Sequence, residues 1–164
     1  MGCLPSLRLL PHKTLLFLRY TASVEKIIIY TDGGARGNPG PAGIGVVISD
    51  AEGKKVREIS EYIGKATNNY AEYEALVRAL IESKNMFGEK LRGMQIEVRM
   101  DSELVVRQLT GLYKVKEPGL KEQFARIAMM RLQDAPNMTF THIPREKNAH
   151  ADELVNKAID AAVN

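Results

Sequence analysis

The sequence predicts an α/β fold: a mixed five-stranded sheet with helices on its faces. Three observations lead there. Five short segments are strand-like, as continuous β-branched runs or as apolar–polar alternation, and in the longer segments apolar residues recur every three or four residues. The first three strand-like segments follow one another across short turns, which makes them antiparallel. The last two are reached through helix-length stretches, and strands joined that way run parallel.

Each element has its own signal. Residues 26–31, Lys-Ile-Ile-Ile-Tyr-Thr, are β-branched and apolar, like a central strand buried on both faces. The stretch from Gly33 to Gly43 reads as a Gly/Pro-rich turn. Ile44, Val46 and Ile48 then alternate as a second strand, and Asp50-Ala51-Glu52-Gly53 is a hairpin turn before a returning strand at 55–63. Ala71, Ala75 and Ala79, with Leu76 and Leu80, predict a helix over 69–86. Ile96, Val98 and Met100 point inward from a fourth strand at 95–100. A short helix is predicted over 102–109. A longer one follows over 119–132, with Leu120, Phe124, Ile127 and Met130 along one side. A last strand at 138–143 precedes a closing helix over 148–162, which turns Ala151, Leu154, Val155, Ala158 and Ile159 inward.

The chain has 164 residues, of which 45% are apolar and 26% charged. This is one domain of ordinary globular composition, which excludes a disordered, collagenous or disulfide-stapled chain. The single cysteine, Cys3, has no internal partner. No run of about 18 apolar residues is present, so no membrane span is predicted. The formal net charge is +3, and it is not spread evenly. The first 24 residues hold Arg8, Lys13 and Arg19 and no acid, leaving 20 basic and 20 acidic residues for the rest. Residues 1–23 therefore read as an N-terminal extension and 24–164 as the folded domain. Three readings of the extension stay open: a plain tail, an acid-poor targeting peptide, or an acylated start built on Met1-Gly2-Cys3. A cytoplasmic protein is expected, or an organelle-directed one if the extension is a transit peptide.

Four carboxylates fall at element ends. Asp32 ends the first strand, Asp101 ends the fourth, and Glu72 and Asp152 lie in the first turns of two helices. Sites in α/β sheets gather beyond the carboxyl ends of parallel strands, so Asp32 and Asp101 are expected side by side. Each acid also has a local explanation: Asp32 as a turn residue, Glu72 in a capping box with Asn69, Asp101 as a helix N-cap, and Asp152 facing a helix dipole. Should the four converge, they form a hard oxygen site suited to Mg²⁺ or Mn²⁺. Two such ions about 4 Å apart would clamp the attacking and leaving oxygens of a phosphodiester. Gly33, Gly34, Gly37 and Gly40 would let a polyanion approach the backbone. Thr67, Asn68 and Asn69 would offer a hydroxyl and two amides at a helix N-terminus.

Taken together, these residues resemble the motifs of type 1 ribonuclease H. Asp32-Gly33-Gly34-Ala35-Arg36-Gly37-Asn38-Pro39-Gly40-Pro41-Ala42-Gly43 is similar to the first motif, and Thr67-Asn68-Asn69-Tyr70-Ala71-Glu72 to the second. Met100-Asp101-Ser102 resembles the third, and Asn148-Ala149-His150-Ala151-Asp152-Glu153-Leu154 the fourth. The resemblance covers residues 25–164 and implies a ribonuclease H-like fold. It also implies endonucleolytic hydrolysis of the RNA strand of RNA–DNA hybrids, leaving 3′-hydroxyl and 5′-phosphate ends. By that resemblance Asp32 bridges two Mg²⁺ ions, Glu72 and Asp101 hold one, and Asp152 holds the other. Gly33, Gly34, Asn38, Asn68 and Asn69 contact the hybrid, with Thr67 near a DNA phosphate.

Three departures from the family pattern stand out. Glu103 replaces a frequent Gln after the third acid, and an ionised carboxylate cannot donate a hydrogen bond, so no substrate contact is assigned to it. A lysine-rich, tryptophan-bearing protrusion is missing, since the chain has no Trp and offers only Lys114 and Lys116 in that region. This resembles the compact, archaeal-like subgroup. The usual mobile histidine before the last acid has two candidate replacements, Arg145 in a loop and His142 in the last strand. Arg145 would position phosphate or aid product release, whereas His142 has the titration range for proton transfer. His150 is expected to face solvent. The expected partner is an RNA–DNA hybrid, and the expected state is a monomer. Two other readings remain: a related nucleotidyl-transfer enzyme acting on DNA, and a hybrid-binding module without catalysis.

Overall fold

A computed structural model of the chain describes residues 25–163. The readings placed on residues 1–23, and Cys3 with them, lie outside the described residues. The strands are β1 (Lys26–Ala35), β2 (Gly40–Asp50), β3 (Lys55–Ala66), β4 (Gln95–Met100) and β5 (Met138–His142). The helices are α1 (Asn68–Phe87), α2 (Glu103–Leu109), α3 (Pro118–Asp134) and α4 (Ala149–Val163). Short 3-10 turns cover Gly88–Gly93 and Arg145–Lys147. The sheet order is β3-β2-β1-β4-β5. β1 pairs antiparallel with β2 and parallel with β4; β2–β3 is antiparallel and β4–β5 parallel. This is the mixed sheet that the connection lengths predict.

Local chemistry sets the element ends. The Asp50 carboxylate accepts from the backbone N–H groups of Glu52 at 3.1 Å and Lys54 at 2.8 Å, and Gly53 takes a positive φ of 83°. Those features close the β2–β3 hairpin. Thr67 caps α1, its hydroxyl accepting from Tyr70 N at 3.2 Å. Ser102 caps α2 in the same way, and Pro118 opens α3. Gly88 ends α1, its N–H reaching Lys84 O.

The two faces of the sheet are covered differently. Ile27 and Ile29 of β1, Val46 and Ile48 of β2, and Ile96, Val98 and Met100 of β4 form one buried layer with Tyr73, Leu76 and Leu80 of α1. Leu120 and Ile127 of α3 extend that layer, with Phe124 and Met130 only partly buried. The other face is covered over β1–β3 by α4, which buries Ala151, Leu154, Val155, Ala158 and Ile159 as its periodicity predicts. Among the described residues no helix is long and apolar enough to cross a membrane.

One sequence expectation needs correction. The turn predicted from Gly33 to Gly43 is only four residues long, 36–39. Gly33 pairs with Ile44, Gly34 with Gly43 and Ala35 with Ala42, so both strands run on through the glycines. Packing explains them. A Cβ on Gly45 would lie 2.1 Å from the Ala151 carbonyl oxygen, and one on Gly43 3.0 Å from that of Val155. These positions are bare because α4 lies directly on them.

Candidate active site

The last parallel pair between β1 and β4 is Tyr30 with Arg99. Two residues further along each strand stand Asp32 and Asp101, so their carboxylates leave the sheet at the same level. Asp32 lies within β1, and the N-cap of α2 is Ser102. Neither acid therefore fills the local turn or cap role open to it in the sequence. Nor does Glu72 cap α1, since Thr67 does.

Two glycines beside Asp32 bring the helices in. A Cβ on Gly33, its chain neighbour, would meet Ala71 C at 2.1 Å and Glu72 N at 2.3 Å. The backbone of α1 thus rests on the strand end and delivers Glu72 there. Gly45, the cross-strand partner of Asp32, gives the start of α4 the same close seat and delivers Asp152. Adjacent residues of a strand face opposite ways, so the two helices close on Asp32 from opposite sides of the sheet. This revises the expectation that the glycines leave room for a polyanion: at Gly33 and Gly40 the missing side chain is replaced by protein backbone, Arg36 O in the second case. Gly37, at φ 104°, serves the turn itself.

Oxygen atoms of Asp32, Glu72 and Asp101 lie within 4.8 Å of one another. Asp152 stands across the same cleft, which holds about 370 Å³ and is also lined by Gly33, Gly34, Asn68 and Arg145. The cleft is short of positive charge. Burial, reinforced by the charges of Asp101 and then Asp152, pushes the Asp32 carboxyl up to about 7, against the pull of the Gly33 N–H and Arg145. Burial, followed by Asp32 and Asp101, pushes Glu72 well above the usual carboxylate range. Glu72 Oε2 is buried with no hydrogen-bond partner. An orphaned carboxylate oxygen among other carboxylates, with no His or Cys among the described residues that line the cleft, fits a divalent cation with oxygen preference.

The remaining predicted residues divide into three groups. Asn68 Oδ1 accepts from Ala35 N at 2.7 Å, and Asn38 Oδ1 accepts from Asn68 N at 3.0 Å. Both side-chain carbonyls are thus committed to the protein, which leaves the amide N–H₂ groups as outward donors. Thr67 faces a neighbouring cleft lined by Pro39, Lys65 and Tyr70, and Asn69 is half-buried on α1. Arg145 Nη2 donates to Asp152 Oδ1 at 2.9 Å. His142 closes β5 and does not line the acidic cleft. His150 is partly exposed, yet it pairs with Glu58 and approaches Glu153 at 3.6 Å. Glu103 is held by Arg107 at 2.7 Å, which keeps its carboxyl low.

Two residues of the site were not singled out in the sequence. Asn148 is 1% exposed and donates to Thr31 O and Asp101 Oδ1, both at 3.0 Å, tying β1, β4 and α4 together. Asn156 donates to Asp152 Oδ2 at 3.2 Å. The available signal was their spacing, four residues on either side of Asp152 and so on the same helix face.

A family model described as reverse transcriptase-like matches residues 30–158. A ribonuclease HI of Halobacterium salinarum is 43% identical over 137 residues, covering 84% of this chain and 66% of that protein. The bifunctional protein Rv2228c of Mycobacterium tuberculosis is 41% identical over 138 residues, covering 84% of this chain and 36% of that one. The chain thus spans just under two thirds of the first of these relatives and about a third of the second. The solved structure of LC11 ribonuclease H1, isolated from compost by a metagenomic approach, is 68% identical with a TM-score of 0.82, covering 85% of this chain and 99% of that one. A crystal structure of the same protein in complex with an RNA/DNA hybrid is matched at 67% identity and a TM-score of 0.81, covering 84% and 99%.

Proposed function

The chain belongs to the type 1 ribonuclease H family, and from that membership we propose that it hydrolyses the RNA strand of RNA–DNA hybrids, leaving 3′-hydroxyl and 5′-phosphate ends. The observation that carries the proposal is the meeting of three carboxylates within 4.8 Å at the ends of two parallel strands, with Asp152 across the cleft. Asp32, Glu72, Asp101 and Asp152 would hold two Mg²⁺ or Mn²⁺ ions between them. When bound, these ions supply the charge that polarises an attacking water and stabilises the leaving 3′ oxygen.

The chain's own residues supply recognition. Asn68 lines the cleft with its amide donor free, Asn38 is bonded to the Asn68 backbone N–H beside it, and Asn69 is next along α1. Small donors of this kind suit acceptors on base edges and 2′-hydroxyls in a minor groove, where RNA differs from DNA. The backbone of Gly33 and Gly34 lines the floor, and Thr67 faces its own cleft, where a DNA-strand phosphate would lie. Arg145, 78% exposed at its side chain, is placed to meet a substrate phosphate once it leaves Asp152. His142 stands outside the cleft lining, which weighs against its moving a proton there.

The test is cleavage of a defined hybrid, double-stranded RNA and double-stranded DNA, each with Mg²⁺, Mn²⁺ or EDTA. Cation-dependent cuts in the hybrid's RNA strand are expected. Asp32→Asn should abolish them while the protein still folds and melts cooperatively. Full cleavage by that variant, or cutting of DNA in preference to hybrid, would overturn the proposal.

A further inference from the structure

Asn148, just before α4, and Asp152 and Asn156 within it follow one another at four-residue spacing on a single face. Asn156 is exposed in the helix interior, where Asn is a poorer helix former than Ala. Helix propensity therefore gives no reason for it. Its side-chain amide donates backward to the Asp152 carbonyl at 3.0 Å and to the carboxylate Oδ2 at 3.2 Å. The other carboxylate oxygen, Oδ1, takes the guanidinium of Arg145 at 2.9 Å.

The two oxygens of Asp152 are thus held by groups of very different standing. Oδ2 is bound by a neutral donor fixed on the same helix. Oδ1 is bound by a cation that reaches in from a short 3-10 turn with its side chain largely in solvent. Asp152 contributes no oxygen to the tight cluster of the other three acids. A cation held between that cluster and Asp152 would take an oxygen from Asp152, and Oδ1 is the one whose present partner is itself cationic and largely in solvent. A neutral amide on the other oxygen orients the carboxylate without cancelling its charge.

We infer that Asn156 is a positioning residue: it holds Asp152 by Oδ2, so that Oδ1 passes between Arg145 and a divalent cation. The inference rests on the reading of the four acids as cation ligands. It makes Asn156 a determinant of cation affinity, and it makes Arg145 a competitor for the same oxygen.

The test is Mn²⁺ binding to the full-length protein without nucleic acid, followed by electron paramagnetic resonance and calorimetry. Asn156→Ala should weaken binding by about tenfold, the lower end of what outer partners of metal ligands contribute. Its melting temperature in EDTA should stay level or rise, because Ala is the better helix former. Asn156→Gln, which keeps an amide donor at the same spacing, should recover most of the affinity. Arg145→Ala should shift binding the other way and tighten it. In cleavage, Asn156→Ala should raise the Mg²⁺ concentration for half-maximal rate by a similar factor, leaving KM for hybrid unchanged. Equal Mn²⁺ binding by the parent and Asn156→Ala would overturn the inference, as would a loss that simply follows a lowered melting temperature. A parent that binds Mn²⁺ as expected yet cleaves no hybrid would overturn the proposed activity and leave this inference standing.

Discussion

At Asp32 the fold places a carboxylate where burial and two neighbouring acids oppose its ionisation. A carboxyl whose folded pKa, about 7 here, lies above its unfolded value near 4 stabilises the fold fully only while protonated. The contribution is complete below about pH 4 and is lost as pH rises through 7. Asp32→Asn removes that loss. In EDTA the variant should melt level with the parent at pH 4 and at least about 3 °C above it at pH 8. Mg²⁺ should close the gap by raising the parent; equal melting at pH 8 without Mg²⁺ would show that no such repulsion exists. The four acids were legible in the sequence because each falls at the end of an element whose period is clear. Asn148 and Asn156 were not, because choosing the relevant face of α4 requires knowing where the strands end. Between Arg145 and His142 the sequence favoured Arg145, because it lies in a loop while His142 lies in a strand, but that its guanidinium turns back onto Asp152 is seen only in the structure.

Among the elements, the sequence yielded every strand and helix in order, since each carries a strong period of its own. It misjudged the glycines from Gly33 to Gly43 by reading them all as one turn. Glycine and proline punctuate turns, but Gly43 and Gly45 lie within a strand and are bare for a helix more than a hundred residues away in the chain. No local pattern signals a contact of that range. Gly45→Ala tests the reading. Its Cβ would sit 2.1 Å from the Ala151 carbonyl oxygen, so α4 must shift. A loss of about 2 kcal/mol is expected from overpacking, together with a fall in hybrid cleavage as Asp152 moves. Gly53→Ala is the control. Its Cβ meets nothing within 4 Å, though φ is +83°, so it should cost about 1 kcal/mol of backbone strain and leave cleavage intact. Chemical denaturation gives both stabilities. A Gly45→Ala protein with parental activity would show that α4 does not depend on that close seat.

For the molecule as a whole, the +3 charge lies in the first 24 residues, and the remainder is balanced. Attraction to a polyanion must then come from local patches. Lys114 and Lys116, in the connection between α2 and α3, belong to no ion pair among the described residues, and Tyr113 beside them stacks under Arg107 at 5.2 Å. Replacing both lysines by Gln should weaken hybrid binding and reduce the slope of log K against log salt by about 1 to 2. An unchanged slope would take them out of the interface. The sheet order, finally, leaves two open rims, β3 and β5. β3 carries Lys55, Arg57, Glu58, Glu61 and Lys65 along its length, with two register breaks against β2, while β5 is only five residues long. Charge of both signs, bulges and brevity are what keep a naked strand from recruiting another. The same rims that complete the sheet are therefore poor templates for stacking one copy on the next, and a concentrated solution should resist fibrillar growth.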